Sequence, residues 1–262
     1  MGAMGHSGHR GLAEKVVVVV GGATGIGAAT AARLGAEGCH VVVGDVAADA
    51  ARQTAAGIVA AGGTATHVAF DLADPASVAD LIRTAATTYD GVDLMFNVGA
   101  DMSIIRADTD VVDIDFEVWD RVLAVNLRGY LAAMKYAIPC MLERGGGAIV
   151  NMSSAAAFQG EPARPAYATA KAGIGALTRH VASRWGKEGI RCNAVAPGFT
   201  ATDAIRSVPQ WPELQAGALK RIRGPRVGDP ADIAALVAFL LSAEGEWING
   251  QVINIDGGTV LR

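Results

Sequence analysis

The chain has 262 residues, of which 51% are hydrophobic and 18% are charged, and its formal net charge is −4. This length and apolar content suffice for one domain with a sizeable buried core. The negative charge and the lack of a concentrated basic stripe argue against nucleic acid as the main partner. Composition therefore favours a globular protein that acts on small molecules.

Residues 1–13 are rich in glycine and small polar groups and contain no apolar run that would act as a secretory signal. We expect a flexible tail there, with a single domain over 14–262. No uninterrupted apolar stretch is long enough to span a bilayer, so the sequence predicts a cytoplasmic protein. Cys39, Cys140 and Cys192 lie in or near apolar segments, which favours packed thiols over disulfides. The histidines show no metal-ligand spacing, and we expect no metal.

The first predicted strand is the β-branched run 16–20, which is followed by a glycine turn and then by an alanine-rich helix over 28–37. The turn contains Gly21, Thr24, Gly25, Ile26 and Gly27. Strand, glycine turn and helix in this order let the backbone approach a pyrophosphate, whose charge the helix N-terminus favours. The alternative is a tight turn that binds nothing. The order of the elements favours a dinucleotide site.

The second predicted strand, 40–44, ends at Asp45, close to where a dinucleotide site places the acidic residue for the adenosine ribose. A carboxylate there accepts hydrogen bonds from the ribose hydroxyls and repels a 2′-phosphate. Thr24 supplies no compensating positive charge. Asp45 therefore predicts NAD rather than NADP. Capping of the next helix is a second role that the same residue can combine with the first.

Further along the chain, strands and helices alternate. Strands are predicted at 64–70, 92–97, 148–152, 191–196 and 251–255, and helices at 47–61, from Asp74-Pro75, and at 116–144, 165–187 and 229–241. This alternation predicts an α/β protein, a Rossmann-like doubly wound three-layer sandwich around a mainly parallel, seven-stranded sheet.

Tyr167 and Lys171 are four residues apart on a predicted helix, so both side chains project from one face. A neighbouring ammonium and a cationic nicotinamide favour the phenolate, which makes Tyr167 a candidate general base. Ser154 and Asn126 are candidates to complete a proton-transfer site. Taken singly, each has a plain alternative: an amphipathic helix face for the pair, a strand-end hydroxyl for Ser154, and a bond to nearby backbone for Asn126.

Together these motifs resemble the short-chain dehydrogenase/reductase family of the compact, single-domain type, from about residue 14 to residue 256. The resemblance implies that Asn126, Ser154, Tyr167 and Lys171 form a catalytic tetrad, and that Tyr167 and Lys171 also contact the cofactor. It implies further cofactor contacts at Asp71, Leu72, Asn97, Gly99, Pro197, Gly198 and Thr202.

Two positions depart from the family's usual pattern. Val20 stands where a threonine is common, which removes a hydroxyl contact before the first turn glycine. The run Asn97-Val98-Gly99-Ala100 stands where Asn-Asn-Ala-Gly is usual. We expect the backbone to pass the cofactor ribose there, with the hydrogen bonds of the second asparagine replaced or absent.

The segment 200–226 predicts a substrate lid with an apolar face, although the same residues also suit packing on the domain. Its apolar residues include Ile205, Val208, Trp211, Leu214 and Leu219. The basic residues Lys220, Arg221, Arg223 and Arg226 are more typical of a solvated surface than of an anion site. The connection 101–117 is long and rich in aspartate.

The sequence thus predicts an NAD(H)-dependent oxidoreductase that transfers hydride between nicotinamide and a secondary alcohol or ketone. One alternative is a 3-oxoacyl thioester reductase using NADPH, a preference that Asp45 opposes. The other is a dinucleotide-sensing protein without catalysis, since a shared fold does not guarantee a shared function. The resemblance also implies a homotetramer.

Overall fold

Seven parallel strands form one sheet at the centre of this computed structural model, which describes residues 9–261. In chain order the strands are β1 (Val16–Val20), β2 (His40–Asp45), β3 (Thr64–Ala69), β4 (Leu94–Asn97), β5 (Gly147–Met152), β6 (Ile190–Pro197) and β7 (Val252–Ile255). Their order in the sheet is β3-β2-β1-β4-β5-β6-β7. The predicted seven-stranded Rossmann-like sheet is confirmed, and it is entirely parallel.

The sheet carries helices on both faces, so its central strands are buried on both sides and need no polar alternation. Every valine of β1 is at most 1% exposed. The helices are α1 (Gly25–Ala36), α2 (Ala48–Ala60), α3 (Pro75–Tyr89), α4 (Phe116–Leu123), α5 (Gly129–Glu143), α6 (Pro165–Trp185), α7 (Asp203–Arg206), α8 (Trp211–Leu219) and α9 (Pro230–Leu241). In the helical layers α1 packs against α2 and α9, and α3 packs against α5.

The sheet places the ends of its central strands side by side. Val20 pairs with Asn97, and Asn97 pairs with Asn151. The strand order reverses between β1 and β4, and open parallel sheets bind ligands outside the carboxyl ends of their strands at such a point. The segments that follow β1, β4 and β5 therefore meet at one edge.

The region predicted as helical over 116–144 is helical through residue 143, with one departure from a uniform α-helix. A π-helical segment, Ala124–Arg128, separates α4 from α5. A π turn holds an extra residue, which rotates the side chains beyond it around the helix axis. Asn126 lies within this segment and is fully buried.

The predicted flexible tail, 1–13, has residues 1–8 outside the described part of the chain. Among the remaining residues, Leu12 is 0% exposed and belongs to the main core. Its carbonyl accepts a hydrogen bond from the Cys39 thiol at 3.2 Å. Packing on the sheet therefore begins before residue 14.

The three cysteines are free thiols, and Cys39 and Cys192 are buried. Burial raises the pKa of each of these two thiols to about 12. The prediction of packed thiols is confirmed for both. Within residues 9–261, none of the helices has the combination of length and apolar composition that crossing a bilayer requires.

The segment from β6 to α9 forms a small layer of its own. Thr200 pairs with Gly228, and this layer has a separate apolar cluster of Ala201, Ala218, Ile222 and Val227. Trp211 stacks on Phe199 with ring centres 6.3 Å apart. Arg226 binds both oxygens of Asp232 at 2.6 and 2.7 Å, so this arginine is held in an ion pair.

Candidate active site

The glycine turn after β1 is packed too tightly for side chains. Gly21 has a φ of 95°, and a Cβ there would lie 2.4 Å from Gly99 Cα. A Cβ on Gly27 would lie 2.0 Å from the Gly21 carbonyl oxygen. Gly25 has a φ of 54°, and a Cβ there would lie 3.1 Å from Thr202 Cγ2. Only glycine fits this arrangement, which leaves the backbone open to a ligand at the start of α1.

Asp45 is fixed at the end of β2, against the glycine turn. One carboxylate oxygen accepts the Ala23 N–H at 3.0 Å, and the other accepts the Ala47 N–H at 3.0 Å. The predicted capping of the next helix is not observed, because Ala47 precedes α2 and no side chain caps that helix; the Asp45 contact instead fixes the turn before α2. Carboxylate oxygens accept more than one hydrogen bond, so Asp45 keeps acceptor capacity for a ribose hydroxyl.

Leu72 and Gly99 continue the wall of the cleft beside Gly21. Leu72 is 7% exposed, and a Cβ on Gly99 would lie 2.9 Å from its side chain. Asp71 accepts the Ala73 N–H at 2.8 Å and so fixes the turn after β3. Thr24 precedes α1 and is exposed, whereas Ile26 is half-buried against the main core.

The opposite end of this edge is formed by the end of β6 and the turn after it. Pro197 is the last residue of β6, and the Gly198 N–H donates to the Ile255 carbonyl at 3.2 Å. Thr202 precedes α7, and its hydroxyl accepts the Ile205 N–H at 3.4 Å. Because Thr202 is close to Gly25, the segment after β6 contacts the glycine turn.

Asn97 does not present its side chain to the cleft. The side chain is fully buried, and its Nδ2 donates to Asn151 Oδ1 at 2.8 Å, across β4 and β5. Its Oδ1 has no partner within residues 9–261. Val98 packs against the main core, which accounts for the apolar residue at this position. At this strand end, Gly99 and the backbone form the surface beside the glycine turn.

The structure brings Ser154, Tyr167 and Lys171 together. Ser154 follows β5; its hydroxyl accepts the Ala156 N–H at 3.2 Å and lies near enough to Tyr167 to lower the pKa of that phenol. Tyr167 and Lys171 lie in the first turns of α6, and Lys171 Nζ is 5.7 Å from the centre of the Tyr167 ring. The local spacing of four residues produces this geometry directly.

Burial dominates the electrostatics of the pair. Lys171 is 1% exposed, and burial lowers its pKa to about 7. Burial raises the pKa of Tyr167, whereas the Ser154 hydrogen bond and the Arg164 charge lower it and Glu161 raises it. Each group is thus shifted toward its neutral form, which keeps Lys171 close to its titration point near neutral pH.

Asn126 lies behind this pair, in the π-helical segment. Its Oδ1 accepts the Asp101 N–H at 3.1 Å. Its Nδ2 is buried without a hydrogen-bond partner in the described part of the chain. An unpaired buried amide donor is costly, so this atom is suited to hold a water or a ligand atom.

Two site residues were missed by the sequence analysis, and Tyr130 is the first. It is fully buried in α5, and its hydroxyl lies 3.3 Å from Lys171 Nζ. Met152 contributes a second acceptor, because its carbonyl lies 2.9 Å from the same nitrogen. Tyr130 follows Asn126 by four residues. This helical spacing could have indicated that Tyr130 lies on the same helix face as Asn126 and so near the site.

Asp108 is the second residue that was missed. It is 1% exposed, and its carboxylate accepts the N–H groups of Ala166 and Tyr167 at 3.2 and 2.8 Å. The N–H of Arg164 donates to the Asp108 carbonyl at 3.0 Å. A carboxylate at a helix N-terminus satisfies donors that the helix leaves unpaired. The long connection 101–117 thus anchors the helix that carries Tyr167.

A bound dinucleotide fits the residues of this edge. The turn after β1 excludes side chains, Asp45 retains acceptor capacity beside it, and Asn126 Nδ2 is an unpartnered donor within residues 9–261. A doubly wound α/β protein with this cleft belongs to the class of dinucleotide-binding oxidoreductases.

Comparison with known proteins supports the same class of dinucleotide-binding oxidoreductases. The family model described as enoyl-(acyl carrier protein) reductase matches residues 21–260. A probable short-chain type dehydrogenase/reductase of Bradyrhizobium diazoefficiens is 44% identical over 93% of this chain and 86% of the relative. The cis-4-hydroxycyclohexanecarboxylate dehydrogenase of Sinomonas cyclohexanicum is 37% identical over 94% of this chain and 96% of the relative.

A solved structure shows the same likeness in three dimensions. A 7α-hydroxysteroid dehydrogenase complexed with NADH and 7-oxo glycochenodeoxycholic acid is 30% identical, with a TM-score of 0.90 over 99% of each chain. The chain belongs to the short-chain dehydrogenase/reductase family. It is an oxidoreductase that acts between an alcohol and a carbonyl group with a nicotinamide dinucleotide.

Proposed function

We propose that this chain uses NAD(H) to interconvert a cyclic secondary alcohol and its ketone, with Tyr167 as the general acid and base. The observation that carries the proposal is the convergence of three side chains. The Ser154 hydroxyl lies near enough to Tyr167 to lower the pKa of its phenol, and the buried Lys171 Nζ lies 5.7 Å from the centre of the same ring.

In the oxidation direction the Tyr167 phenolate accepts the proton of the substrate hydroxyl, and Ser154 holds the substrate oxygen by a hydrogen bond. A bound nicotinamide dinucleotide would accept the hydride that leaves the carbinol carbon in oxidation and would return it to the carbonyl carbon in reduction. The Lys171 ammonium favours the phenolate over the phenol and holds the nicotinamide ribose. In the reduction direction the same Tyr167 hydroxyl donates its proton to the carbonyl oxygen.

Asn126 connects this site to solvent. Its Oδ1 is occupied by the Asp101 N–H, whereas its Nδ2 has no partner among the described residues. A water held there would carry protons between Lys171 and the exterior. Each turnover moves one proton out of the cleft or into it, and a buried lysine needs such a path.

The preference for NAD rests on Asp45. Its carboxylate is fixed by two backbone N–H groups at 3.0 Å each at the end of β2, which supports its proposed role as acceptor for the adenosine ribose. A 2′-phosphate beside this carboxylate would be repelled. Asp45 for the same reason opposes the alternative of an NADPH-dependent 3-oxoacyl thioester reductase.

A cyclic, largely apolar substrate is supported by two observations. The relatives described above include enzymes named for a hydroxysteroid and for a hydroxycyclohexane carboxylate. The segment 200–226, our proposed lid on a single domain over 14–262, keeps Leu214 and Leu219 42% and 38% exposed. Apolar side chains beside a cleft favour an apolar ligand.

The experiment is NADH formation with a panel of cyclic and acyclic secondary alcohols, repeated with NADP and with the variant Tyr167→Phe. We expect turnover with NAD, at least tenfold slower turnover with NADP, and loss of about 10³-fold in kcat for the variant. Preference for NADP would contradict the role of Asp45. NAD binding without turnover, unchanged by the substitution, would favour the dinucleotide-sensing alternative.

We also propose a homotetramer. A groove with apolar side chains runs between α6 on one side and α4, the π-helical segment and the start of α5 on the other. Its lining includes Leu127, Leu131, Gly173 and Leu177, and Leu131 is 49% exposed. Burial of such a surface between two copies would stabilise their association. Light scattering measures the assembly, and a monodisperse monomer would contradict the proposal.

A further inference from the structure

We propose that Tyr130 is a positioning residue for Lys171, and that its hydroxyl holds the Lys171 amine beside Tyr167 and sets the pH range in which Tyr167 works. This inference rests on the proposed function, because it concerns the same proton-transfer site. It adds a residue outside the four that the sequence motifs indicate.

The geometry comes from one side chain on each of two helices, α5 and α6. Tyr130 lies in α5 and is 0% exposed, and its hydroxyl oxygen is 3.3 Å from Lys171 Nζ. The same nitrogen lies 5.0 Å from the centre of the Tyr130 ring. Together the two distances place the amine beyond the hydroxyl and not over the ring face, so the hydroxyl makes the contact with the Lys171 head group.

The two hydrogen-bond partners of Lys171 differ in chemistry. The Met152 carbonyl lies 2.9 Å from Lys171 Nζ. It can accept a hydrogen bond from the ammonium or from the neutral amine, but it can donate to neither. A phenol hydroxyl accepts from the ammonium and donates to the lone pair of the neutral amine. Tyr130 can therefore hold Lys171 through a complete cycle of proton loss and gain.

Tyr130 itself stays protonated during this cycle. Burial, with the charge of Tyr167, raises its pKa well above the ordinary value. It therefore acts as a neutral hydroxyl and leaves the proton chemistry to Tyr167 and Lys171. The Tyr130 hydroxyl stays neutral and changes only the direction of its O–H group as Lys171 gains or loses a proton.

The groups that face Lys171 come from each element packed around it. They are the Tyr130 phenol from α5, the Met152 carbonyl from β5 and the Tyr167 phenol from α6 itself. Glu161 and Arg164 form an ion pair before α6 and act on Tyr167. Among residues 9–261, Tyr130 provides the one side-chain hydrogen bond to Lys171.

Removal of the hydroxyl takes a hydrogen-bond partner from both forms of the Lys171 amine. The bond to the ammonium is charge-assisted and is the stronger of the two, so the pKa of Lys171 falls. With less positive charge beside it, the Tyr167 phenolate is less favoured and its pKa rises. The rising limb of the pH profile for alcohol oxidation therefore moves to higher pH, by about one unit.

The test is Tyr130→Phe in the full chain, which keeps the ring and its packing. Tyr136→Phe, in the same helix but half-buried, is the matched control. Two readouts are compared: the pH profiles of kcat and of kcat/KM, and the midpoint of the Lys171 ε-carbon titration by NMR with 13C-labelled lysine. The chain has only five lysines, and Lys171→Arg identifies the resonance.

We expect the Lys171 midpoint to fall by about one unit in Tyr130→Phe and to stay unchanged in Tyr136→Phe. Circular dichroism confirms that both variants are folded. An unshifted midpoint, or an unshifted pH profile in an enzyme that Tyr167→Phe inactivates, overturns the inference and leaves the proposed function standing. If Tyr167→Phe keeps full turnover, the proposed function fails, and the Lys171 midpoint still decides whether Tyr130 holds the amine.

Discussion

The two sides of the cleft are built in opposite ways. The turn after β1 depends on missing side chains, because a Cβ on Gly27 would lie 2.0 Å from a backbone oxygen. The catalytic side depends on polar side chains taken out of water, such as Lys171 at 1% exposure and Asp108 at 1%. Close backbone packing stabilises the fold, whereas a buried amine costs stability. Substitutions on the two sides should therefore change activity and stability in different combinations.

Gly27→Ala tests the glycine side and has the largest expected effect on stability. The added methyl group forces α1 away from the turn, so we expect a loss of about 3 kcal/mol in the free energy of unfolding. NAD binding should weaken by at least tenfold. Gly57→Ala in α2 is the control, since a Cβ there meets nothing within 4 Å. It should stabilise the protein by about 0.5 to 1 kcal/mol, because alanine is the better helix former.

Urea unfolding and NAD titration by fluorescence measure both variants. Equal stability of Gly27→Ala and the wild type would show that the turn relaxes at little cost. The close approach to Gly21 would then not be what requires glycine there.

Lys171→Met tests the catalytic side, and here we expect the free energy of unfolding to rise, whereas Gly27→Ala should lower it. Turnover should be lost, yet the free energy of unfolding should rise by about 2 kcal/mol at pH 7, since an apolar chain replaces a buried amine. Burial lowers the Lys171 pKa from its ordinary 10.5 to about 7. Between these values the unfolded chain binds the proton and the folded chain does not, so the wild type gains stability as pH rises.

The gain from Lys171→Met is therefore largest at pH 7 and below, and it shrinks toward pH 10. Urea unfolding at pH 7 and pH 9.5 measures this trend. Lys135→Met, at an exposed position of α5, should show no such dependence. A gain that is equal at both pH values would contradict the burial cost assigned to Lys171.

Asp108→Ala has the smallest expected effect on stability. It tests whether Asp108 positions Tyr167 for catalysis in addition to stabilising the fold. It removes the acceptors for the Ala166 and Tyr167 N–H groups, at an expected cost of about 1 kcal/mol. Asp74→Ala removes the cap on α3, where the exposed Asp74 accepts one N–H group, that of Ala76, at 2.9 Å. Asp74→Ala should lose no more stability than Asp108→Ala, and only Asp108→Ala should lower kcat, by about tenfold.

Thermal unfolding and NAD-dependent turnover distinguish the two variants. Equal kcat values for both would mean that the position of Tyr167 does not depend on Asp108. The connection 101–117 would then serve α6 only as a cap.

Local patterns were sufficient for most of the fold. The valine run predicted β1 with its observed bounds, Val16–Val20, because five β-branched residues before a glycine turn suit a buried strand. The Tyr167–Lys171 pair was predictable because helix geometry alone places residues four apart on one face. The seven-stranded sheet followed from the regular alternation of strands and helices.

Contacts between distant segments were not predictable in this way. Asp108 binds the N–H of Tyr167 across 59 positions, and Tyr130 reaches Lys171 across 41. Both contacts depend on how the sheet brings its connections together. The π-helical segment around Asn126 was missed because an extra residue in a helix leaves the apolar periodicity on either side nearly unchanged.

The two buried thiols lie one on each side of the sheet's centre. Their reactivity can therefore report local unfolding of each half of the sheet separately. Cys39 precedes β2 and Cys192 lies in β6, and each thiol has a pKa of about 12. A thiol reagent attacks only the thiolate and only when the site is exposed. The labelling rate of each cysteine therefore measures how often its own half of the sheet opens. Mass spectrometry of the two cysteine-containing peptides would measure both labelling rates in one sample. The Cys39 rate reports opening of the half of the sheet next to the glycine turn, and the Cys192 rate reports opening of the half that carries the catalytic side chains.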